Sequence, residues 1–249
     1  MAERYTRVYS IPDNLYAEGS PVVIKAGALL LDNKTNTVIA QLKLQNIGSK
    51  KIKAVTVGIL PLDIAGDPNG SEIEYQYLDT TVDRDAQIGE RTPIRLPDNT
   101  TRGFSPYVKS IVYEDNQREI ISDTKWESLP EQDTLLSMLG DIYVVKQFQL
   151  EYNVDFQYIP VRYKDIWICG CKAINLDAEQ NCHRCRFEYE QIQAVNIKDL
   201  QQRGAKAREE DNRNKQKKQE EERRLQQETE KKRQLEAVEK EKKPKKNEI

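Results

Sequence analysis

Histidine is nearly missing from this chain: His183 is the only one among 249 residues. Catalytic arrangements in which an imidazole takes a proton from Ser or Cys would all have to run through that one position. The chain also lacks a Gly-rich phosphate loop, a nucleophile elbow, a His-Glu-x-x-His helix and a dinucleotide fingerprint. Its carboxylates are many but scattered, so no acid–base pair stands out. These absences lead to the expectation of a non-enzymatic protein. Apolar runs are short as well. None reaches the roughly 20 residues needed to cross a bilayer, and the stretch Met1–Arg7 has no hydrophobic secretory core. A cytoplasmic location is therefore expected. Cysteine is scarce too: the 4 present all fall between positions 169 and 185. Such density in a chain without an export signal favours a metal over disulfides.

Charge is abundant, at 32% of residues, and it is divided. Residues 201–249 hold 17 Lys and Arg against 12 Asp and Glu, which leaves 22 against 29 in residues 1–200. An acidic body with a basic tail describes the chain better than its net charge of −2.

Residues 1–122 read as strands and turns. Val38, Ala40, Leu42 and Leu44 alternate with Ile39, Gln41, Lys43 and Gln45, the period of two of a half-buried strand. Val55, Val57 and Ile59 repeat the pattern, as do Ile73, Tyr75 and Tyr77. Turn residues at Asp32-Asn33-Lys34, Gly48-Ser49, Gly66–Gly70 and Pro97-Asp98-Asn99 separate these runs. The spacing predicts a mainly β fold with an N-terminal antiparallel, immunoglobulin-like β-sandwich. The region has neither Cys nor Trp, which excludes an antibody-type domain.

Residues 123–154 read as a helical connector. Ser128-Leu129-Pro130-Glu131 has the form of a capping box. Leu135, Met138, Leu139, Ile142, Val145 and Tyr152 then recur at helical spacing, with Gly140 offering a place to split the segment in two. Residues 155–192 hold the cysteines. From 193 to 249 the chain turns to Gln, Glu, Lys and Arg. It lacks the filled a and d positions of a coiled coil, but carries acid-first pairs such as Asp211/Lys215 and Glu220/Arg224. A charged tail, helical or disordered, is expected over 193–249; where helical it is a solvated, marginal single helix over about 205–243, ending before Pro244. Lys242, Lys243, Lys245 and Lys246 form a basic cluster that can be read as a solvated terminus or as a polyanion contact.

Cys169, Cys171, Cys182 and Cys185 fit one structural zinc. Paired cysteines suit a tetrahedral site because each pair takes one tight turn. The second pair has the usual two-residue spacing, whereas the first is one residue tighter, with Gly170 expected to supply unusual backbone angles. Four thiolates leave no coordination position for an activated water. His183, inside the second pair, is expected to face solvent.

Trp167-x-Cys169-x-Cys171-x3-Asn175-x6-Cys182-x2-Cys185 resembles the Ran-binding-protein type of zinc finger, a small zinc ribbon. The resemblance covers about 20 residues and implies that Asn175 braces a knuckle. It implies that Trp167 packs against the fold or presents a stacking face. The order of sandwich, Trp-Glu-x-Leu-Pro segment and Trp-x-Cys-x-Cys ribbon resembles uncharacterised zinc-ribbon proteins of Gram-positive bacteria. Those proteins have Gly after each knuckle, where this chain has Lys172 and Arg186. Relatives of the finger bind ubiquitin or single-stranded RNA. The Thr-Phe pair used for ubiquitin is replaced here by Lys172-Ala173, and Asp165, Asp177, Glu179, Glu188 and Glu190 read as a surface that repels a polyanion. The resulting expectation is a protein-interaction or scaffolding module with an unidentified protein partner; the alternative is a nucleic-acid-binding protein that uses the ribbon and basic tail.

Overall fold

The computed structural model describes residues 4–78, 81–121 and 125–242, with side chains described as far as residue 234. The protein is mainly β, with antiparallel sheets, two short helices and one long C-terminal helix. It divides into two compact units: residues 1–134 with 156–194, and residues 135–155 with 195–249.

The first unit begins with the strands β1 (Tyr5–Ser10), β2 (Leu15–Tyr16), β3 (Val22–Asp32), β4 (Thr37–Asn46), β5 (Ile52–Leu62) and β6 (Ile73–Tyr77). It continues with β7 (Gln87–Ile88), β8 (Ile94–Arg95), β9 (Gly103–Tyr113), β10 (Arg118–Ile120) and β11 (Glu127–Ser128). One sheet runs β11-β2-β3-β4-β7, with β1 also on β3 and β8 on β4; the other runs β10-β9-β5-β6. The expected alternation of β4 is present: Val38, Ala40, Leu42 and Leu44 are buried. They meet Val57, Ile59, Phe104 and Ile111 of the second sheet in a shared core.

Two departures from strict alternation place the cysteine module. In β3, Val22, Val23 and Ile24 are all buried. Val22 and Ile24 enter the sandwich core, whereas Val23 points the other way, into a second cluster with Tyr16, Ile47, Ile166, Ile168 and Ile174. The second cluster joins the sandwich to a small sheet of β12 (Val161–Tyr163), β13 (Ile166–Ile168) and β14 (Ile174–Leu176). Each of these buried aliphatics stabilises by about 1.5–3 kcal/mol. At the end of β4, Gln45 and Asn46 are buried although polar. Asn46 Nδ2 donates to the carbonyls of Lys50 and Val82, and Gln45 Nε2 donates to the Asp85 carboxylate, so both amides fix the 82–85 loop.

The capping box expected at Ser128 does not form. Glu127 and Ser128 pair with Tyr16 and Leu15 as β11, and Leu129 N donates to Asn14 O. The strand prevails because Pro130 pushes the residue before it away from helical angles. The helical stripe is split at Gly140, at φ +77°, into α1 (Leu135–Leu139) and α2 (Ile142–Glu151). The cap of α2 is Asp141, whose carboxylate accepts from Tyr143 N at 2.7 Å. Within the stripe Leu135, Leu139 and Val145 are buried, but Ile142 is exposed; Val144 and Phe148 complete the inner face.

The tail helix α3 (Ile197–Lys242) spans 46 residues, about 70 Å at 1.5 Å per residue. Its start lies earlier than expected, capped by Asn196. The picture of a fully solvated tail is wrong for its first turns. Leu200 and Gly204 are buried, and Arg203, Ala207 and Asp211 half-buried, one stripe at helical spacing. Arg203 pairs with Glu151, Arg208 with Asp141, and Tyr143 with Asp211, all on or beside α2. Gly204 allows this close approach, since a Cβ there would lie 2.8 Å from Val144 Cγ2 and 3.0 Å from Val144 N. The stripe escaped notice because Gly and Ala give no hydrophobic signal. From residue 212 to 234 the side chains are exposed, and Asp211–Lys215 forms the expected acid-first pair at 2.8 Å. Gly204→Leu should destabilise the α2–α3 pair by about 1–3 kcal/mol through overpacking. A thermal melt followed by helical circular dichroism reads this, and an unchanged melting profile would refute the packing.

Candidate metal centre

The four cysteines converge at the end of the small sheet. Their sulfurs all lie within 4.8 Å of one another, with Cys169–Cys185 at 3.4 Å and Cys171–Cys182 at 3.6 Å. All four are free thiols. A disulfide would need about 2.05 Å. A tetrahedral zinc with Zn–S near 2.3 Å would set its sulfurs about 3.8 Å apart. The observed cluster lies close to the second geometry, so the donor set fits a metal ion of zinc type.

Each knuckle is a closed turn. In the first, Lys172 N donates to Cys169 O at 2.8 Å and Cys169 N to Ala173 O at 2.8 Å. In the second, Arg186 N donates to Cys182 O at 2.9 Å and Cys182 N to Phe187 O at 2.8 Å. The first turn closes over three residues and the second over four, which accounts for the unequal cysteine spacings. The residue after each pair takes the left-handed conformation, Lys172 at φ +68° and Arg186 at φ +67°. Both positions therefore hold a backbone that glycine adopts most readily, without being glycine. Gly170 is needed for a different reason from the one expected. It is not among the residues with positive φ; a Cβ on it would meet the Phe156 ring at 2.2 Å and Tyr158 O at 2.4 Å.

Backbone amides of Cys171, Ala173, Arg184 and Cys185 point at the sulfurs of Cys169, Cys171 and Cys182, favouring thiolates. The Cys169 thiol donates to its neighbours and is held well above its ordinary value, and the Cys182 thiol, accepting from Cys169 and Cys171, is held well below. For Cys171, donation from Cys169 is outweighed by Cys182 and burial, which push it up to about 12. A cation is what allows all four to ionise together, so protons compete with metal and acid must favour release.

Asn175 is fully buried; its Nδ2 donates to Ala173 O beside the first knuckle, and its Oδ1 accepts from His183 N at 3.0 Å in the second. Trp167 is also fully buried, donating from Nε1 to Glu179 O at 2.8 Å and packing edge-on to Tyr189. It presents no stacking face. Lys242, Lys243, Lys245 and Lys246 are outside the residues whose side chains are described.

His183 does not face solvent. Its Nδ1 lies 2.6 Å from Asn175 Oδ1 and its Nε2 2.8 Å from the carboxylate of Asp85, a residue of the sandwich. Arg184 donates to the same carboxylate at 2.7 Å. Two of the acids read as a repelling surface also turn inward. Asp165 accepts from Tyr16 Oη at 2.7 Å and Gly19 N at 2.9 Å, and Glu179 is gripped by Arg84 through two contacts of 2.6 Å. The Arg84 guanidinium holds Glu179 below its ordinary value of 4.5. The stability from that pair is present above pH 4.5 and is lost as the pH falls through the depressed value. Gln132 Nε2 faces the carbonyls of Ile159, Ile168 and Cys169, bracing the first knuckle. Sequence reasoning missed Gln45, Arg84, Asp85 and Gln132 because nothing in their local pattern marks them; each acts on a partner distant in the chain.

Arg186 is exposed and left-handed. Arg186→Gly should therefore raise the stability of the metal-loaded protein by about 1 kcal/mol. Denaturant unfolding measures this, and a loss of stability would contradict the backbone assignment. Comparison with protein-family models, curated proteins and solved structures finds no match for this chain.

Proposed function

We propose that this is a non-enzymatic protein in which one structural zinc, held by Cys169, Cys171, Cys182 and Cys185, staples a ribbon of the Ran-binding-protein type onto a β-sandwich. Its role on this reading is protein–protein interaction or scaffolding. The observation that carries the metal assignment is the convergence of four sulfurs within 4.8 Å. Four thiolates complete a tetrahedron and leave no site for substrate or activated water. Both ring nitrogens of the lone histidine are engaged, one by Asn175 and the other by Asp85.

The interaction role draws support from the exposed residues 212–234 of α3, a long charged arm. Nucleic-acid binding through the ribbon is disfavoured: stacking needs an exposed aromatic face, and phosphate contact needs free cations. Trp167 is buried and Arg184 is paired with Asp85. Among the described residues no helix is long and apolar enough to cross a membrane.

Purified protein should carry close to one zinc per chain by native mass spectrometry and should lose it on acidification. A metal content near zero with the ribbon folded would contradict the assignment. For the interaction role, cross-linking and capture from native cells should compare the full chain with one ending at residue 211. Deleting the ribbon instead would expose Tyr16, Val23 and Ile47, so its effects would be uninterpretable. A reproducible protein partner, lost on truncation, is expected; the absence of any partner for the full chain would overturn the scaffold reading.

A further inference from the structure

We propose that Asp85, a residue of the sandwich, is a positioning residue of the metal centre, so that metal loading and docking of the ribbon form one linked equilibrium. The proposal rests on the zinc reading above and adds to it a control outside the cysteine module.

The two residues enclosed by the second cysteine pair are His183 and Arg184, and both bind the same carboxylate oxygen, Asp85 Oδ2, at 2.8 and 2.7 Å. One sandwich side chain thus holds the whole interior of the Cys182–Cys185 turn. Arg184 Nη1 also lies 3.4 Å from Cys171 O, so the same contact reaches the first knuckle. Asp85 is itself fixed. Its backbone is left-handed at φ +67°, its N donates to Asn46 O at 2.8 Å, and its side chain accepts from Gln45 at 3.3 Å. Adjacent Arg84 grips Glu179 and reaches Ile174 O. The short loop 84–85 therefore contacts the ribbon at the second knuckle and behind the first.

A group that orients metal ligands in this way changes metal affinity without touching the ion. The linkage is reciprocal: if docking presets the thiolates, metal must in turn stabilise docking. Asp85 offers a clean substitution. Asp85→Gly removes the carboxylate and relaxes the left-handed backbone rather than straining it. Asp32→Asn serves as the control, because Asp32 is buried in the sandwich and paired with Arg4, with no contact to the ribbon.

Zinc affinity of the full chain, measured by competition with a chromophoric chelator, should fall about 10- to 100-fold in Asp85→Gly. It should be nearly unchanged in Asp32→Asn, whatever that variant does to the melting temperature. Asp85→Asn, which keeps an acceptor oxygen, should fall between Asp85→Gly and the wild type. The rise in melting temperature on adding zinc should also be smaller in Asp85→Gly than in the wild type. Wild-type affinity in Asp85→Gly, or an equal loss in Asp32→Asn, would overturn the proposal while leaving the zinc site intact. A wild-type chain that binds no zinc would overturn both.

Discussion

Everything in the cysteine module depends on four sulfurs being brought closer together than uncompensated thiolates tolerate. Their separations of 3.4 and 3.6 Å are too long for bonds and too short for a cluster of free anions. A divalent cation among them would resolve that conflict. It would also supply what three strands of three residues each cannot supply alone, since binding a structural zinc contributes on the order of 10 kcal/mol to folding. The amides directed at the sulfurs, the two left-handed residues and the Asn175 brace all hold the shape the ion needs.

The second consequence is that the ribbon is not a free-standing finger. Its sheet shares an apolar cluster with Tyr16, Val23 and Ile47, and its polar groups find partners on the sandwich: Asp165 with Tyr16 and Gly19, Glu179 with Arg84, His183 and Arg184 with Asp85. A finger that works by recognition keeps such groups free for a ligand. Here the sandwich takes that place.

The parts legible in the sequence were those governed by local pattern. Alternation at Val38–Leu44 marked a true core strand, cysteine spacing marked the four-sulfur cluster, and acid-first pairing such as Asp211/Lys215 marked the long helix. The parts that were not legible depend on distant partners. Ser128 satisfies every local rule for a helix cap, yet strand pairing with Leu15 and a following Leu-Pro take it elsewhere. Gly204 and Ala207 look like neutral positions in a polar helix but form the face that meets α2. Asp165 and Glu179 count as surface charge in composition and are docking contacts in the fold. Gly170 was singled out correctly but for the wrong cause: the crowding by Phe156 and Tyr158 cannot be read from Cys-Gly-Cys.

The claim that the metal holds the ribbon to the sandwich has one direct test: hydrogen exchange of the full chain before and after zinc is chelated. Exchange should speed up in residues 167–187 and, together with them, in the sandwich segments around Val23, Ile47 and Asp85. Acceleration confined to residues 167–187, with those sandwich segments as protected as before, would contradict the account.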